Sequence, residues 1–235
     1  MAEPTVSLKE LLEAGVHFGH QTRRWNPKMK LYIYCVKDNI HIFDLAQTAQ
    51  KITEACKFVK NLGSKGEALV FVGTKRQAKN IVKEEAVRCG AKYVNKRWIG
   101  GLLTNFAQVA KNIKKLTELK EKKKAGEFDR LTKKEQLLLE REIERLESFY
   151  GGLEGLEELP GALFITDARK QEGAIKEASK KKIPVVAVCD SNADPEGIDF
   201  VIPGNDDAVK AIKLYCKLIA DAYLEGRQKY QKKSK

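Results

Sequence analysis

Short apolar runs punctuate this chain at Ala68–Val72, Gly161–Thr166, Pro184–Cys189 and Ile198–Ile202, with a briefer one at Lys92–Val94. Runs of that length, bounded by turn residues, predict strands buried on both faces of a parallel sheet. Between them apolar residues recur every three or four positions, which predicts helices over Leu45–Leu62, Gln77–Cys89 and Glu172–Lys182. Gly63 and Gly90 mark two of the helix stops, and a last helix is expected from Asp206 or Asp207 to near Gly226. Strands alternating with helices imply right-handed crossovers in a parallel α/β sheet.

Two stretches break that rhythm. Near the start, Ser7 is placed to cap a helix over Leu8–Ala14, and Gly15–His20 breaks it. Leu31–Val36 and Ile40–Phe43 then read as a β-hairpin around Lys37-Asp38-Asn39, with Asp44 capping the next helix. In mid-chain, Phe106, Val109, Ile113, Leu116 and Leu119 form one apolar seam, and Leu139, Ile143, Leu146 and Phe149 form a second. Residues 125–131 are the tip between them, and Thr132 with Glu135 reads as a capping box that opens the return helix. The pattern predicts an inserted antiparallel coiled-coil hairpin over 105–151, each arm of about 20 residues reaching roughly 30 Å. The globular α/β domain is then discontinuous, 1–104 and 152–226, followed by a basic tail over 227–235 expected to order only on a partner.

Composition narrows the function. Lys and Arg number 44 against 32 Asp and Glu, a formal net charge of +12, so the surface should attract polyanions, and nucleic acid is the first partner to consider. No apolar run approaches the roughly 18 residues of a membrane span, and the start lacks the basic and apolar regions of a secretory signal. The expectation is a cytoplasmic protein without a membrane partner or a small-molecule substrate. Five scattered cysteines, Cys35, Cys56, Cys89, Cys189 and Cys216, read as reduced, buried thiols.

Candidate contacts cluster in irregular segments where cations adjoin an indole. Arg23, Arg24, Lys28 and Lys30 surround Trp25, and Lys96 and Arg97 precede Trp98, Gly100-Gly101 and the polar pair Thr104-Asn105. Such mixtures suit phosphate pairing with base or sugar stacking, although a tight turn with a core tryptophan fits the second stretch equally well. Lys75 and Arg76 follow the glycine turn after Ala68–Val72, without the spacing of a Walker loop. Lys111, Lys114 and Lys115 add charge on the first hairpin arm, whose bland reading is a solvated spacer. His17-x-x-His20 lacks the further ligands of a metal site. Acidic residues follow the later strands, Asp167 after one, Asp190 and Asp194 after the next and Asp206-Asp207 after the last, where Mg²⁺ or a phosphoryl group would bind in an enzyme or phosphoacceptor domain using Asp190, Asp194 and Asp207, yet caps and turns explain the same residues. A third reading is a protein-only scaffold that uses the hairpin. No catalytic residue, metal ligand or cofactor is assigned.

Several ordered segments carry a family likeness: Leu11–His20, Arg24–Met29, Phe71–Lys75, Val94–Phe106, Leu159–Asp167 and Ile202–Ala208. They closely resemble the bacterial-type protein two of the small ribosomal subunit, over nearly the whole chain. The resemblance implies a flavodoxin-like three-layer α/β/α domain with an inserted coiled coil, binding small-subunit rRNA between head and body and without catalysis. It also implies neighbouring small-subunit proteins as partners, among them the large mRNA-binding one. Asn39 stands where the family commonly has glycine, a place asparagine can take in the left-handed conformation.

Overall fold

The computed structural model describes residues 6–233, with only the backbone of Lys233. The expectations about the first residues and about Ser234-Lys235 lie outside the described part. The Ser7 hydroxyl accepts from Lys9 N, and Glu10 accepts from Ser7 N, which opens α1 (Leu8–Glu13). The chain then forms β1 (Phe18–Gln21), where the sequence predicts only a helix break. Pro27 at the first helical position and the Asn26 cap wind Pro27–Tyr32 into a 3-10 helix, so β2 (Ile33–Lys37) starts later than the apolar run suggests. Asp38 (φ 49°) and Asn39 (φ 61°) turn it into β3 (Ile40–Phe43), both central residues left-handed as a tight two-residue hairpin requires. Asparagine therefore does take the place of glycine here. β3 lies between β1 and β2 in a small antiparallel sheet.

Asp44 accepts from Ala46 N and Gln47 N at the start of α2 (Leu45–Ser64). The main sheet then builds through β4 (Leu69–Val72), α3 (Lys79–Cys89) and β5 (Lys92–Val94). Two long helices intervene, α4 (Phe106–Lys124) and α5 (Lys133–Tyr150), before β6 (Ala162–Ile165), α6 (Glu172–Lys181), β7 (Val185–Cys189), β8 (Phe200–Pro203) and α7 (Val209–Lys233). The five strands are all parallel in the order β5-β4-β6-β7-β8, the flavodoxin-like order with its reversal between β4 and β6.

Strand alternation divides the interior into two cores. Leu69, Phe71, Phe164, Val186 and Val188 face α2, α3 and α7, while Val70, Val72, Leu163, Ile165 and Ala187 face α6 and the base of the α4–α5 hairpin. This is why the strand runs are apolar throughout instead of alternating. Thr132 and Glu135 cap α5 as the sequence predicts, and Asn112 donates to the Tyr150 hydroxyl across the paired helices. Val109, Ile113, Leu116, Ile143 and Leu146 bury the seam between them.

Three expectations fail for physical reasons. Gly63 does not end α2 and Gly226 does not end α7: each sits within its helix at the point where the two cross. A Cβ on Gly226 would lie 2.2 Å from the Lys60 carbonyl oxygen, and one on Gly63 would lie 2.7 Å from that of Tyr223. The glycines let two backbones touch. Beyond the crossing, α7 runs on to Lys233, with Arg227 donating to the Gly90 carbonyl at 2.8 Å. Cys35 is exposed on the outer strand β2, while the other four cysteines are buried. With the crossing this close, Gly226→Ala should cost about 3 kcal/mol in urea unfolding, as overpacked sites do; an unchanged midpoint would contradict it.

Candidate nucleic-acid interface

The carboxyl ends of the parallel strands carry Lys75, Arg76, Lys96, Arg97, Trp98, Thr104 and Asn105. β4 leads into Gly73–Arg76, β5 into Asn95–Asn105, and the segment after β7 meets the Thr22–Lys30 loop, where Asn26 N donates to the Ser191 carbonyl at 2.7 Å. The small sheet thus delivers its basic loop to the edge where the main sheet delivers its own.

One carboxylate organises the stretch between β5 and α4. Glu177, on α6, accepts from Trp98 Nε1 at 3.1 Å and Gly101 N at 2.8 Å through Oε1. Through Oε2 it accepts from Leu103 N at 3.1 Å, Thr104 N at 3.2 Å and Thr104 Oγ1 at 3.1 Å. Burial alone would raise its pKa, but the donors from Gly101, Trp98, Thr104 and Leu103 outweigh burial and hold it below its ordinary 4.5. Leu102 and Leu103 are fully buried beneath the loop, and Gly101 takes φ 87°. Trp98 is half-buried against the hairpin-side core, so its indole braces the loop, and Lys96 and Arg97 are left exposed. Lys96 lies 5.8 Å over the Phe149 ring.

The other candidates divide by partner. Trp25 is exposed and stacks on His41 with ring centroids 5.1 Å apart. Arg23 donates to Gln21 at 3.0 Å. Arg23, Arg24, Lys30, Arg76, Lys96, Arg97 and Lys111 are exposed and have no carboxylate partner among the described residues. Thr104 and Asn105 are exposed, Lys114 stands 4.0 Å from Glu118, and Lys115 pairs with Glu142 at 3.0 Å. Lys28 pairs with Asp194 at 2.9 Å and also with Glu196. The 3-10 turn from Asn26 points it toward the segment after β7.

Lys75 is the least available. Its ammonium meets Asp167 at 3.0 Å and both Asp206 and Asp207 at 2.8 Å. Burial opposes its charge, but Asp206, Asp207 and Asp167 win and hold its pKa above the ordinary value. In turn burial, with repulsion from Asp167 and Asp190, pushes the Asp206 carboxyl up despite Lys75. His20 joins the group, its Nδ1 3.0 Å from Asp190 and its Nε2 3.4 Å from Asp207. Of the acidic residues that follow the later strands, Asp167, Asp190, Asp206 and Asp207 converge here and Asp194 does not. Asp194 turns to Lys28 and its own loop instead. His17 does not share a site with His20; it packs on Phe18 with centroids 4.0 Å apart.

These features define a flavodoxin-like α/β protein with a helical insertion and a basic, aromatic rim along the carboxyl edge of its sheet. The family model described as Ribosomal protein S2 matches residues 11–226, and the chain belongs to that family. The family is one of structural, non-enzymatic components of the small ribosomal subunit, and it gives the enzyme reading no support. Among the described residues no helix is long and apolar enough to cross a membrane.

The Glu177 clamp has a measurable sign. A depressed carboxyl pKa stabilises the fold above the unfolded value, and the contribution is lost as pH falls through the folded one. Glu177→Gln should destabilise the protein by about 2 kcal/mol near neutral pH, the scale of hydrogen bonds to a charged acceptor at a partly exposed site. By urea unfolding, the gap from wild type should shrink below pH 4.5. A gap independent of pH would contradict the clamp.

Proposed function

We propose that this protein binds small-subunit rRNA, at the junction of head and body, through the rim of its parallel sheet and the first arm of its hairpin. The observation that carries the reading is the set of exposed cations without carboxylate partners, gathered beside two tryptophans. Such groups neutralise phosphates and release counterions, and an exposed ring offers a face for a base or sugar. In this reading Arg23, Arg24, Lys30, Arg76, Lys96, Arg97, Lys111 and Lys114 make phosphate contacts. Trp25, Thr104 and Asn105 touch RNA beside them. Lys28, Lys75 and Lys115 would first have to exchange a carboxylate for a phosphate, and Trp98 serves from beneath.

The division of labour follows the same line. The globular part, 1–104 and 152–226, carries the rim, the coiled-coil hairpin over 105–151 projects from it, and the basic segment 227–235 follows. The second hairpin arm exposes Glu140 and Glu144 and suits protein neighbours of the small subunit, including the large mRNA-binding one. The site of action is the cytoplasm, within the subunit.

Replacing Arg23, Arg24, Lys96 and Arg97 together by alanine tests this. Binding to purified small-subunit rRNA in a filter assay should weaken, and the slope of log affinity against log salt should fall by about 3 to 4, near 0.9 for each phosphate no longer neutralised. Unchanged affinity and slope would favour a protein-only scaffold.

A further inference from the structure

The return helix of the hairpin, α5, comes back to the main sheet beside α3, and the two enclose an open cleft of about 490 Å³ at the end of β5. Lys79 and Lys83 stand on the α3 wall, Lys96 lies just beyond β5, and Ser148 and Phe149 form the hairpin wall. Gly152 leaves no room for a Cβ against the Tyr93 carbonyl oxygen. The hairpin exit is therefore pressed on β5, which sets the separation of the two walls.

The charges in this cleft do not balance. Its carboxylates, Glu147 and Glu154, are both taken by Lys120. Lys79, Lys83 and Lys96 line the same space and have no carboxylate partner among the described residues. Lys79 and Lys83 are one helical turn apart, where like charges repel. Lys79 is also the first residue of α3, where a cation opposes the helix dipole, and that first turn carries no acidic residue and no side-chain cap. Lys96, 5.8 Å over the Phe149 ring, is kept at the cleft by the hairpin wall itself. An anion seated between the walls would relieve all three cations at once.

The position of the cleft says which anion. Arg76 lies on the turn that leads into α3, and Arg97 follows Lys96, so the cleft opens directly onto the cationic rim. A polyanion lying along that rim runs into it, and its phosphates meet lysines spaced along one wall.

We propose that this cleft seats the phosphate backbone of the bound RNA, with Lys79 and Lys83 joining Lys96 as contacts, so that the RNA grips the hairpin and the globular part together. The inference rests on the reading of this chain as an rRNA-binding protein, and adds to it a second wall. Ser148 and Phe149 bring the hairpin root into the same contact.

The test uses the full chain and purified small-subunit rRNA in the filter assay. Lys79→Ala with Lys83→Ala should weaken binding and lower the slope of log affinity against log salt by about 2, near 0.9 for each phosphate no longer neutralised. Lys79→Arg with Lys83→Arg keeps the charge and should keep the slope. Ser148→Glu should also weaken binding, because it sets a carboxylate on the opposite wall; circular dichroism checks that each variant is folded. If the rim variant at Arg23, Arg24, Lys96 and Arg97 loses affinity while the Lys79 and Lys83 alanine pair keeps the wild-type slope, the cleft is overturned and the rRNA reading stands. Wild-type affinity in both would remove that reading and the cleft with it. Wild-type binding by Ser148→Glu would overturn the grip between two walls.

Discussion

A loop crossing from a sheet to a helical hairpin must hide its backbone donors, and here one carboxylate does so. Glu177 takes hydrogen bonds from Trp98, Gly101, Leu103 and Thr104, in the stretch where the chain leaves β5 and enters α4. Without that acceptor Gly101 N and Leu103 N would compete for water, and buried Leu102 and Leu103 would lose the backbone that positions them. The placement of Lys96 and Arg97, and the direction in which α4 starts, depend on this contact. A negatively charged residue thus organises a positively charged surface.

The same economy governs the acidic groups. In a protein with a net charge of +12, carboxylates at the sheet's carboxyl edge would weaken any polyanion site if they were exposed. Asp167, Asp190 and Asp206 are instead buried behind Lys75 and His20, and the contact of Asp190 with His20 joins the main sheet to the small one. The exposed rim carries arginines, lysines and the ring of Trp25, and its exposed carboxylates Asp194, Glu196 and Asp207 are each paired with a lysine.

Much of this was legible in the sequence because the relevant signals are local. Apolar runs located the five parallel strands to within about two residues, and Thr132 with Glu135 announced α5 because a capping box lies within four residues of chain. What escaped depends on partners distant in sequence. β1 is four residues long and contains a glycine and a histidine, so it shows no alternation, and pairing with β3 makes it a strand. Gly63 and Gly226 carry the sign of a helix stop, yet each serves a crossing with a helix more than 150 positions away. Lys75 resembles a phosphate ligand until Asp206 and Asp207, over 130 residues on, enclose it. Glu177 has no motif at all, since only the fold brings it to Trp98.

The central claim is that an unpaired cationic rim at the carboxyl edge of the sheet seats this protein on the small subunit. Sedimentation of a tagged copy through sucrose gradients at low and high salt tests it most directly. The account predicts migration with the small subunit at low salt and progressive loss as salt rises, as phosphate contacts are screened and counterions return. A chain that stayed at the top of the gradient at every salt concentration would contradict it.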